Sequence, residues 1–172
     1  YDLDTRYVED RFFKIFPLSM LSGLEQGEDL PPNSAIITAA AALRIFGTTE
    51  VVGERLLLNN RDDLVIAGVS EKLEHASHLE SSISLFSTEL YVPMSVRLRN
   101  LRRARDEAGL DPDADYWGNQ SDYVYLEFPE EFEFSPERFN AQLDAFVKST
   151  LPEERAEDMT YEVEPINQLI TS

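Results

Sequence analysis

The fold is decided by a stretch between residues 12 and 69 that contains five short marked segments. In chain order they are FFKIF (12–16), SGL (22–24), ALRIFG (42–47), VG (52–53) and VIAGV (65–69). The first segment puts its phenylalanines on one face of a short helix, which Pro17 ends. Because these segments form no catalytic motif, we interpret the stretch as a packing signature in which aromatic side chains fill a core and glycines set turns.

Capping signals define a helix in the middle of this stretch. Residues 34–37 (SAII) predict a short buried strand, and Thr38 directly after it is a preferred N-cap residue. Residues 39–46 then predict a helix, which Gly47 ends because glycine readily adopts the left-handed conformation of a C-terminal cap. The run of alanines at 39–42 would let this helix approach its neighbour closely.

A hairpin follows the helix. Residues 55–58 and 64–69 predict two strands, joined by a polar loop at 59–63 that is rich in residues tolerating turn geometry. Gly68 inside the second strand indicates either a bulge or the close approach of another backbone.

The second half of the chain alternates strand and helix patterns. The predicted elements are a strand at 82–86, a helix at 95–108, a strand at 123–128, a helix with Ser135 as N-cap and Pro136 at its first position, and a last strand at 159–163. The apolar face of the second helix is predicted to comprise Phe139, Leu143, Phe146 and Val147. This order predicts an α+β fold with two small subdomains, at residues 7–79 and 82–172.

Composition excludes several classes of function. The 172 residues carry a net charge of −18 and no cysteine. Without thiols there is neither a disulfide framework nor a thiolate zinc site, and a surface this acidic repels nucleic acids, so no nucleic-acid partner is expected. No apolar run approaches the roughly 20 residues that span a bilayer. The chain begins at Tyr1 rather than Met, so we expect a fragment or processed piece of a longer protein.

Motifs for catalysis or cofactor binding are missing from the sequence. It contains no Gly-x-Ser-x-Gly elbow, no phosphate-binding loop and no Gly-x-Gly-x-x-Gly fingerprint. Paired carboxylates such as Glu130 and Glu131 fall in predicted loops, where nothing indicates the contrasting, partly buried environments that acid–base catalysis needs. We therefore expect no catalytic residue, no cofactor and no enzymatic activity.

The two histidines, His75 and His78, lie in the segment EHASHLE at residues 74–80. Imidazoles and carboxylates are zinc ligands, but a three-residue spacing suits one metal best on a helix, and this segment is predicted to be a loop. An incidental or structural role is favoured over a metal site, so no metal ligand is assigned.

Arginines are concentrated in the helix predicted at 95–108. Five of the chain's 15 basic residues fall there, namely Arg97, Arg99, Arg102, Arg103 and Arg105. Their face is either solvated, offsetting local acidity, or a docking surface for an acidic partner or a sister protomer, since the guanidinium fork suits carboxylates. Arg99, Arg102 and Arg103, with Trp117 as an aromatic anchor in the following loop, are the candidate partner-binding residues.

In order and spacing, the marked segments resemble the extracytoplasmic core domain of MacB-like (FtsX-type) ABC transporter permeases. That family has an FF-x-x-F helix, a Gly loop, a small-residue helix ending in FG, a Gly before a strand, and a V-x-GV strand, which correspond to the five segments quoted above. The exit segment at 77–79 (SHL) and the closing segment at 165–167 (PIN) are also similar. The resemblance is specific over residues 7–79 and looser over the remainder.

The resemblance implies a porter-like α/β sandwich at 82–172 with an inserted compact helix-plus-hairpin subdomain at 7–79. It implies a non-catalytic periplasmic domain of a bacterial inner-membrane permease, which couples cytoplasmic ATP hydrolysis to efflux, lipoprotein transport or cell-wall regulation. The implied partners are an ATP-binding subunit or domain reached through absent membrane helices, a second permease copy in a homodimer, and a periplasmic protein. The alternatives left open are an acidic extracytoplasmic hydrolase using carboxylates and His78, and a free-standing ligand-binding module.

Overall fold

The computed structural model describes residues 3–9, 11–72, 88–113, 124–151, 156–157 and 159–163. The elements in these ranges are β1 (Thr5–Val8), α1 (Phe12–Ile15), β2 (Met20–Gly23), β3 (Ser34–Thr38), α2 (Ala39–Phe46), β4 (Arg55–Leu58), β5 (Asp62–Ser70), β6 (Leu90–Pro93), α3 (Met94–Glu107) and α4 (Pro136–Thr150). This combination of helices with one mixed sheet confirms the α+β class. The chain divides into two compact units, a first unit of Tyr1–Ala114 and a second unit of Asp115–Ser172.

The first unit is built on a mixed sheet with the strand order β1-β6-β3-β5-β2, in which β4 also pairs with β5. β6 is parallel to β1 and antiparallel to β3, whereas β3 is parallel to β5. β2 and β4 are both antiparallel to β5. β5 is long enough for both, because β4 lies opposite residues 62–65 and β2 lies opposite residues 68–70.

Helix α2 begins and ends where the capping signals predict. The Thr38 hydroxyl accepts a hydrogen bond from the Ala41 amide at 3.3 Å, which satisfies one of the free amides of the first turn. Gly47 ends the helix in the left-handed conformation, with φ of 76°, and its amide donates to the Leu43 carbonyl. Ala41 and Ala42 are fully buried, so small side chains bring α2 close to the sheet.

Two glycines of the marked stretch lie opposite each other in the sheet. Gly23 of β2 pairs with Gly68 of β5, and β5 carries a register shift against β3 at this level. A Cβ on Gly23, whose φ is +86°, would collide with the carbonyl oxygen of Ala67, and a Cβ on Gly68 would lie 2.5 Å from the Met20 methyl carbon. Both predictions for Gly68, a bulge and a close backbone approach, are confirmed.

Strand β3 separates two cores, because successive side chains of a strand point to opposite faces of the sheet. Ala35 and Ile37 belong to the core on the side of α2. Ile36 belongs to the core on the side of α1, which also contains Phe13 and Tyr91. The first unit is therefore a sheet covered on both faces, and burial of each large side chain in it contributes about 1.5–3 kcal/mol.

The boundary between the two units differs from the boundary predicted between the two subdomains. The sequence placed residues 82–172 in one subdomain, but β6 and α3 belong to the first unit. The physical reason is that β6 lies between β1 and β3, and its four residues are all buried there. The division falls after Ala114, not between residues 79 and 82.

The described part of the second unit is organised by α4. As predicted, Ser135 caps this helix, its hydroxyl accepting from the Arg138 amide at 3.3 Å, and Pro136 occupies the first turn. Of the predicted apolar face, Val147 is buried, whereas Phe146 remains 51% exposed. The apolar residues of α4 therefore recur at helical spacing, as predicted, but not all of them are buried.

Two strand predictions for the second unit are wrong. Residues 124–128 and 159–163 adopt no strand, although their composition favours one. A strand needs a partner to satisfy its peptide groups, and here the aromatic residues form a ring stack instead, with Phe128 lying 5.0 Å from Phe132 and 4.8 Å from Phe134 between ring centroids. The strand predicted at 82–86 lies outside the described residues.

Candidate functional site

Helix α3 carries the predicted partner-binding arginines, and it starts without a loop after β6. Its anchor in the core is Val96, which is fully buried. Three other apolar residues in or next to this helix, Leu101, Ala104 and Ala108, are not buried. Because so little apolar surface fixes the helix, its polar contacts become important for its position.

Arg99 is held by polar groups of the sheet unit. Its guanidinium donates to the Asn33 side-chain oxygen at 2.6 Å and to Asp62 at 3.3 Å. Asn100 donates to the other Asp62 oxygen at 2.6 Å. Asp62 is only 4% exposed, and a buried carboxylate is costly unless it is paired and hydrogen-bonded. Arg99 therefore offsets the charge of Asp62, Asn100 adds a hydrogen bond to it, and together they attach α3 to the start of β5.

Two further arginines contact the segment that follows α3. Arg102 forms an ion pair with Asp113 at 3.1 Å, and Arg105 donates to the Asp111 carbonyl at 2.6 Å. Both side chains of the Arg102–Asp113 pair are largely exposed, so the pair contributes about 0–1 kcal/mol. An incoming carboxylate could displace Asp113 at little cost.

Arg103 is exposed, and it has no hydrogen bond or ion pair with any residue in the described part of the chain. It stands one residue after Arg102 and four after Arg99, so the three predicted residues lie on neighbouring positions of one helix. Trp117, the fourth predicted residue, lies outside the described residues. The accessible cationic groups of this surface are thus Arg102 and Arg103, whereas Arg99 also serves Asp62.

Another ion pair joins α2 to the start of β6. The Arg44 guanidinium forms a two-pronged contact with Glu89, at 2.5 and 2.7 Å, and the Asp4 amide donates to the same carboxylate at 3.3 Å. The hydrogen bond from Arg44 lowers the pKa of Glu89, against the opposing effect of its partial burial. The two residues are 45 positions apart, so sequence patterns gave no signal for this pair.

An open groove of about 650 Å³ runs beside β1 in the first unit. It is lined by Leu3, Asp4, Thr5, Tyr7, Asn59 and Glu89. Burial is the main cause that raises the pKa of Tyr7, and the negative charge of Asp62 adds to it while Arg97 opposes it. No sequence motif marked this groove, because its lining residues come from three separate parts of the chain.

Two phenylalanines of the first marked segment, Phe12 and Phe13, pack against Tyr91. Its ring centroid lies 5.6 Å from Phe13, in an edge-to-face arrangement, and 6.3 Å from Phe12. Burial raises the pKa of the Tyr91 phenol to about 12, and its hydroxyl has no hydrogen-bond partner in the part of the chain that the structure describes. The segment is therefore a packing element, as interpreted from the sequence.

The described ranges were compared with what a metal site and a membrane-spanning helix require. They contain no group of three or more His, Cys, Asp or Glu side chains that could hold a metal ion. His75 and His78 lie outside the described residues. In the same ranges, no helix combines the length and apolar character needed to cross a bilayer.

Comparison with known proteins adds one structural likeness. No protein-family model matches the chain, and no curated protein matches it. Among solved structures, the chain is similar to a "domain of a putative Permease protein" from Porphyromonas gingivalis, with a TM-score of 0.55 and 17% sequence identity. The match covers 100% of this chain and 71% of that one. At this identity the likeness establishes a shared fold.

Proposed function

We propose that this chain is the periplasmic domain of an ABC transporter permease of the MacB-like (FtsX-type) family in the bacterial inner membrane. In this role it is not an enzyme and carries no cofactor. It acts mechanically, coupling ATP hydrolysis on a cytoplasmic ATP-binding subunit or domain to efflux, lipoprotein transport or cell-wall regulation outside the membrane. The permease acts as a homodimer, and the domain binds a periplasmic partner protein.

The observation that carries this proposal is the likeness over the whole chain to a domain whose own description names a permease. The residues on which the family resemblance rests give the proposal a second, separate support. Gly23 and Gly68 meet in the sheet, and Phe12 and Phe13 pack on Tyr91, so the motif consists of fold-determining residues. Such residues identify an architecture and are compatible with a non-catalytic role.

Within this proposal, Arg102 and Arg103 form the docking surface for an acidic partner. Arg103 is exposed, and the weak pair of Arg102 with Asp113 can exchange for a partner carboxylate. Charge reversal of both residues should reduce partner binding strongly, whereas reversal of Arg55, whose pair with Asp63 is also exposed, should not. Unchanged binding of the Arg102→Glu/Arg103→Glu variant would exclude this surface.

The location can be tested by cysteine labelling, because this domain has no cysteine of its own. In the full-length gene product, Gln26→Cys puts a thiol on an exposed turn, and Val96→Cys puts one in the core. A membrane-impermeant maleimide should label the Gln26→Cys protein in cells whose outer membrane is permeabilised, and the Val96→Cys protein only after denaturation. Labelling of Gln26→Cys only after the inner membrane is broken would contradict a periplasmic location.

The non-catalytic role can be tested by calorimetry of the isolated domain with Mg-ATP. We expect no heat of binding, since the sequence has no phosphate-binding loop. Measurable ATP affinity would contradict the assignment of ATP hydrolysis to another polypeptide or domain.

A further inference from the structure

The loop at residues 128–134 (FPEEFEF), just before α4, presents an aromatic ring to the solvent. The ring of Phe132 lies parallel to that of Phe128 within 11°, at 5.0 Å between centroids, so one of its faces is covered. No other described ring stacks on Phe132, and its side chain is 52% exposed. The opposite face of the Phe132 ring is therefore accessible. We call residues 128–134 the aromatic loop.

Unpaired carboxylates accompany this ring. Four exposed glutamates within or beside the aromatic loop form no ion pair or side-chain hydrogen bond in the described part of the chain, namely Glu127, Glu130, Glu131 and Glu133. The nearest basic residue along the chain is Arg138, and no ion pair joins it to these carboxylates. The second unit as a whole has 14 acidic and three basic residues. The charge of the aromatic loop is therefore negative and available to a partner.

An open aromatic face and unpaired carboxylates attract the same kind of group. The face of an aromatic ring is electronegative, so it attracts a cation placed within about 6 Å of its centroid. The guanidinium of arginine is planar, stacks on such a face and pairs with carboxylates through its fork of donors. The ammonium of lysine is a compact, strongly hydrated charge that does not stack. The aromatic loop therefore suits an arginine better than a lysine.

Charge also decides what kind of molecule brings this arginine. An acidic surface would be repelled, and an apolar one would desolvate the glutamates without pairing them. A second copy of the chain has arginines on α3, but its net charge of −18 opposes its approach. We propose that the aromatic loop binds an arginine on a basic surface of a different protein, with the guanidinium stacked on Phe132 and paired with the glutamates. This surface is distinct from the arginines of α3, which suit an acidic partner.

The probes are two fluorescent peptides of about ten residues, one alternating arginine with serine and the other lysine with serine, so that both carry the same charge. We expect anisotropy of the 172-residue chain with each peptide to show binding that weakens with salt. The arginine peptide should bind at least about threefold more tightly, since only its side chains can stack on Phe132.

Two substitutions of Phe132 separate the aromatic face from apolar volume. Phe132→Leu keeps an apolar side chain but has no ring, so it should weaken binding of the arginine peptide about threefold and remove the preference over lysine. Phe132→Tyr keeps the ring and should bind within about twofold of the unmodified protein. Since the side chain is half exposed, both variants should fold, which their melting temperatures would verify.

A pair of charge variants separates the aromatic loop from the general acidity of the chain. Glu130→Gln/Glu131→Gln removes two of the unpaired carboxylates and should weaken binding about fivefold. Glu50→Gln/Glu54→Gln is the matched control, because it changes the net charge equally at exposed positions of the first unit, and it should weaken binding less than about twofold.

Nuclear magnetic resonance of the unmodified protein gives a measurement that needs no variant. The arginine peptide should shift the amide signals of residues 130–134 and leave those of residues 50–54 in place. Shifts confined to other regions would overturn the proposal.

Four binding results would also overturn the proposal. They are no binding of the arginine peptide at about 1 mM, a low-affinity limit for specific recognition; equal binding by Phe132→Leu; equal losses in the two charge variants; and self-association in ultracentrifugation that Phe132→Leu abolishes, which would assign the loop to a second copy. None of these outcomes depends on where the domain lies in the cell, so the site and the proposed permease role can fail separately.

Discussion

The first unit joins residues that are far apart in sequence, whereas the described contacts of the second unit are mostly local. In the first unit, Thr5 pairs with Leu90 and Arg99 reaches Asp62. In the second, the ring stack of residues 128–139 and the turns of α4 connect near neighbours, with the bond from the Val163 amide to Asn140 as a longer link. Long-range contacts make a unit cooperative, so single changes should be felt more strongly in the first unit.

The largest effect should come from Gly23→Ala in the first unit. The substitution places a side chain in left-handed backbone and drives it into the Ala67 carbonyl, so it should lower the free energy of unfolding by about 3 kcal/mol or more. Gly27→Ala is the control: its φ is +81°, but no atom lies within 4 Å of an added Cβ, so the loss should be about 1–2 kcal/mol. Urea denaturation measures both, and equal losses would contradict the close approach of β2 and β5.

A smaller loss should follow from removing the buried carboxylate that holds α3. Asp62→Ala leaves Asn100 without this acceptor and Arg99 with the Asn33 oxygen but no carboxylate, and it should lower the free energy of unfolding by about 2–4 kcal/mol. The neighbouring change Asp63→Ala breaks only an exposed pair with Arg55 and should cost less than about 1 kcal/mol. If the two variants unfold at the same urea concentration, Asp62 does not anchor α3.

Among the described helices, one in each unit has an N-cap side chain that accepts a hydrogen bond, which allows a direct comparison. Thr38 and Ser135 both accept from a helix amide at 3.3 Å, but Thr38 is only 3% exposed, whereas Ser135 is exposed. Thr38→Ala should therefore cost about 1–2 kcal/mol and Ser135→Ala about 0.5–1 kcal/mol. Hydrogen exchange within α2 and α4 measures the two losses. Thr38→Ser keeps the hydroxyl and should restore most of the stability, and a larger loss in α4 would reverse the comparison.

The smallest effect is a pH dependence of the first unit. The folded-state pKa of Glu89 is lowered by its bond with Arg44, so the pair stabilises the fold above the ordinary glutamate pKa and the stabilisation is lost as the pH falls through the folded pKa. Thermal melts between pH 6 and 3 should therefore show a component of acid sensitivity that Glu89→Gln removes. Identical pH profiles for the two proteins would exclude a contribution from this pair.

Features defined within a few residues could be predicted from the sequence. Thr38 and Gly47 bound α2, and Gly68 marks the bulge, because a cap or a bulge depends on the local backbone. The strand predictions for residues 124–128 and 159–163 were wrong because a strand also depends on a distant partner, which composition does not encode. The position of β6 could not be predicted for the same reason, because its neighbours in the sheet are β1 and β3.

The candidate site shows the same limit. The arginine cluster of α3 is visible in the sequence, and so is its helical spacing. The hydrogen bond between Arg99 and Asp62 could not be predicted from the sequence, because the two residues are 37 positions apart. The groove beside β1 gave no sequence signal, since it combines an edge strand with Asn59 and Glu89.

The position of β6 between β1 and β3 affects the order in which the strands can pair during synthesis of the chain. Translation delivers β1 first, but its pairing partner emerges only about 85 residues later, when Leu90 can meet Thr5. Closing a loop of this length carries an entropic cost that local elements do not have, so β1 should join last and slowly. A nascent chain stalled before residue 90 would expose both edges of β1 together with the flank of β3, and truncation near residue 80 should produce a protein that aggregates.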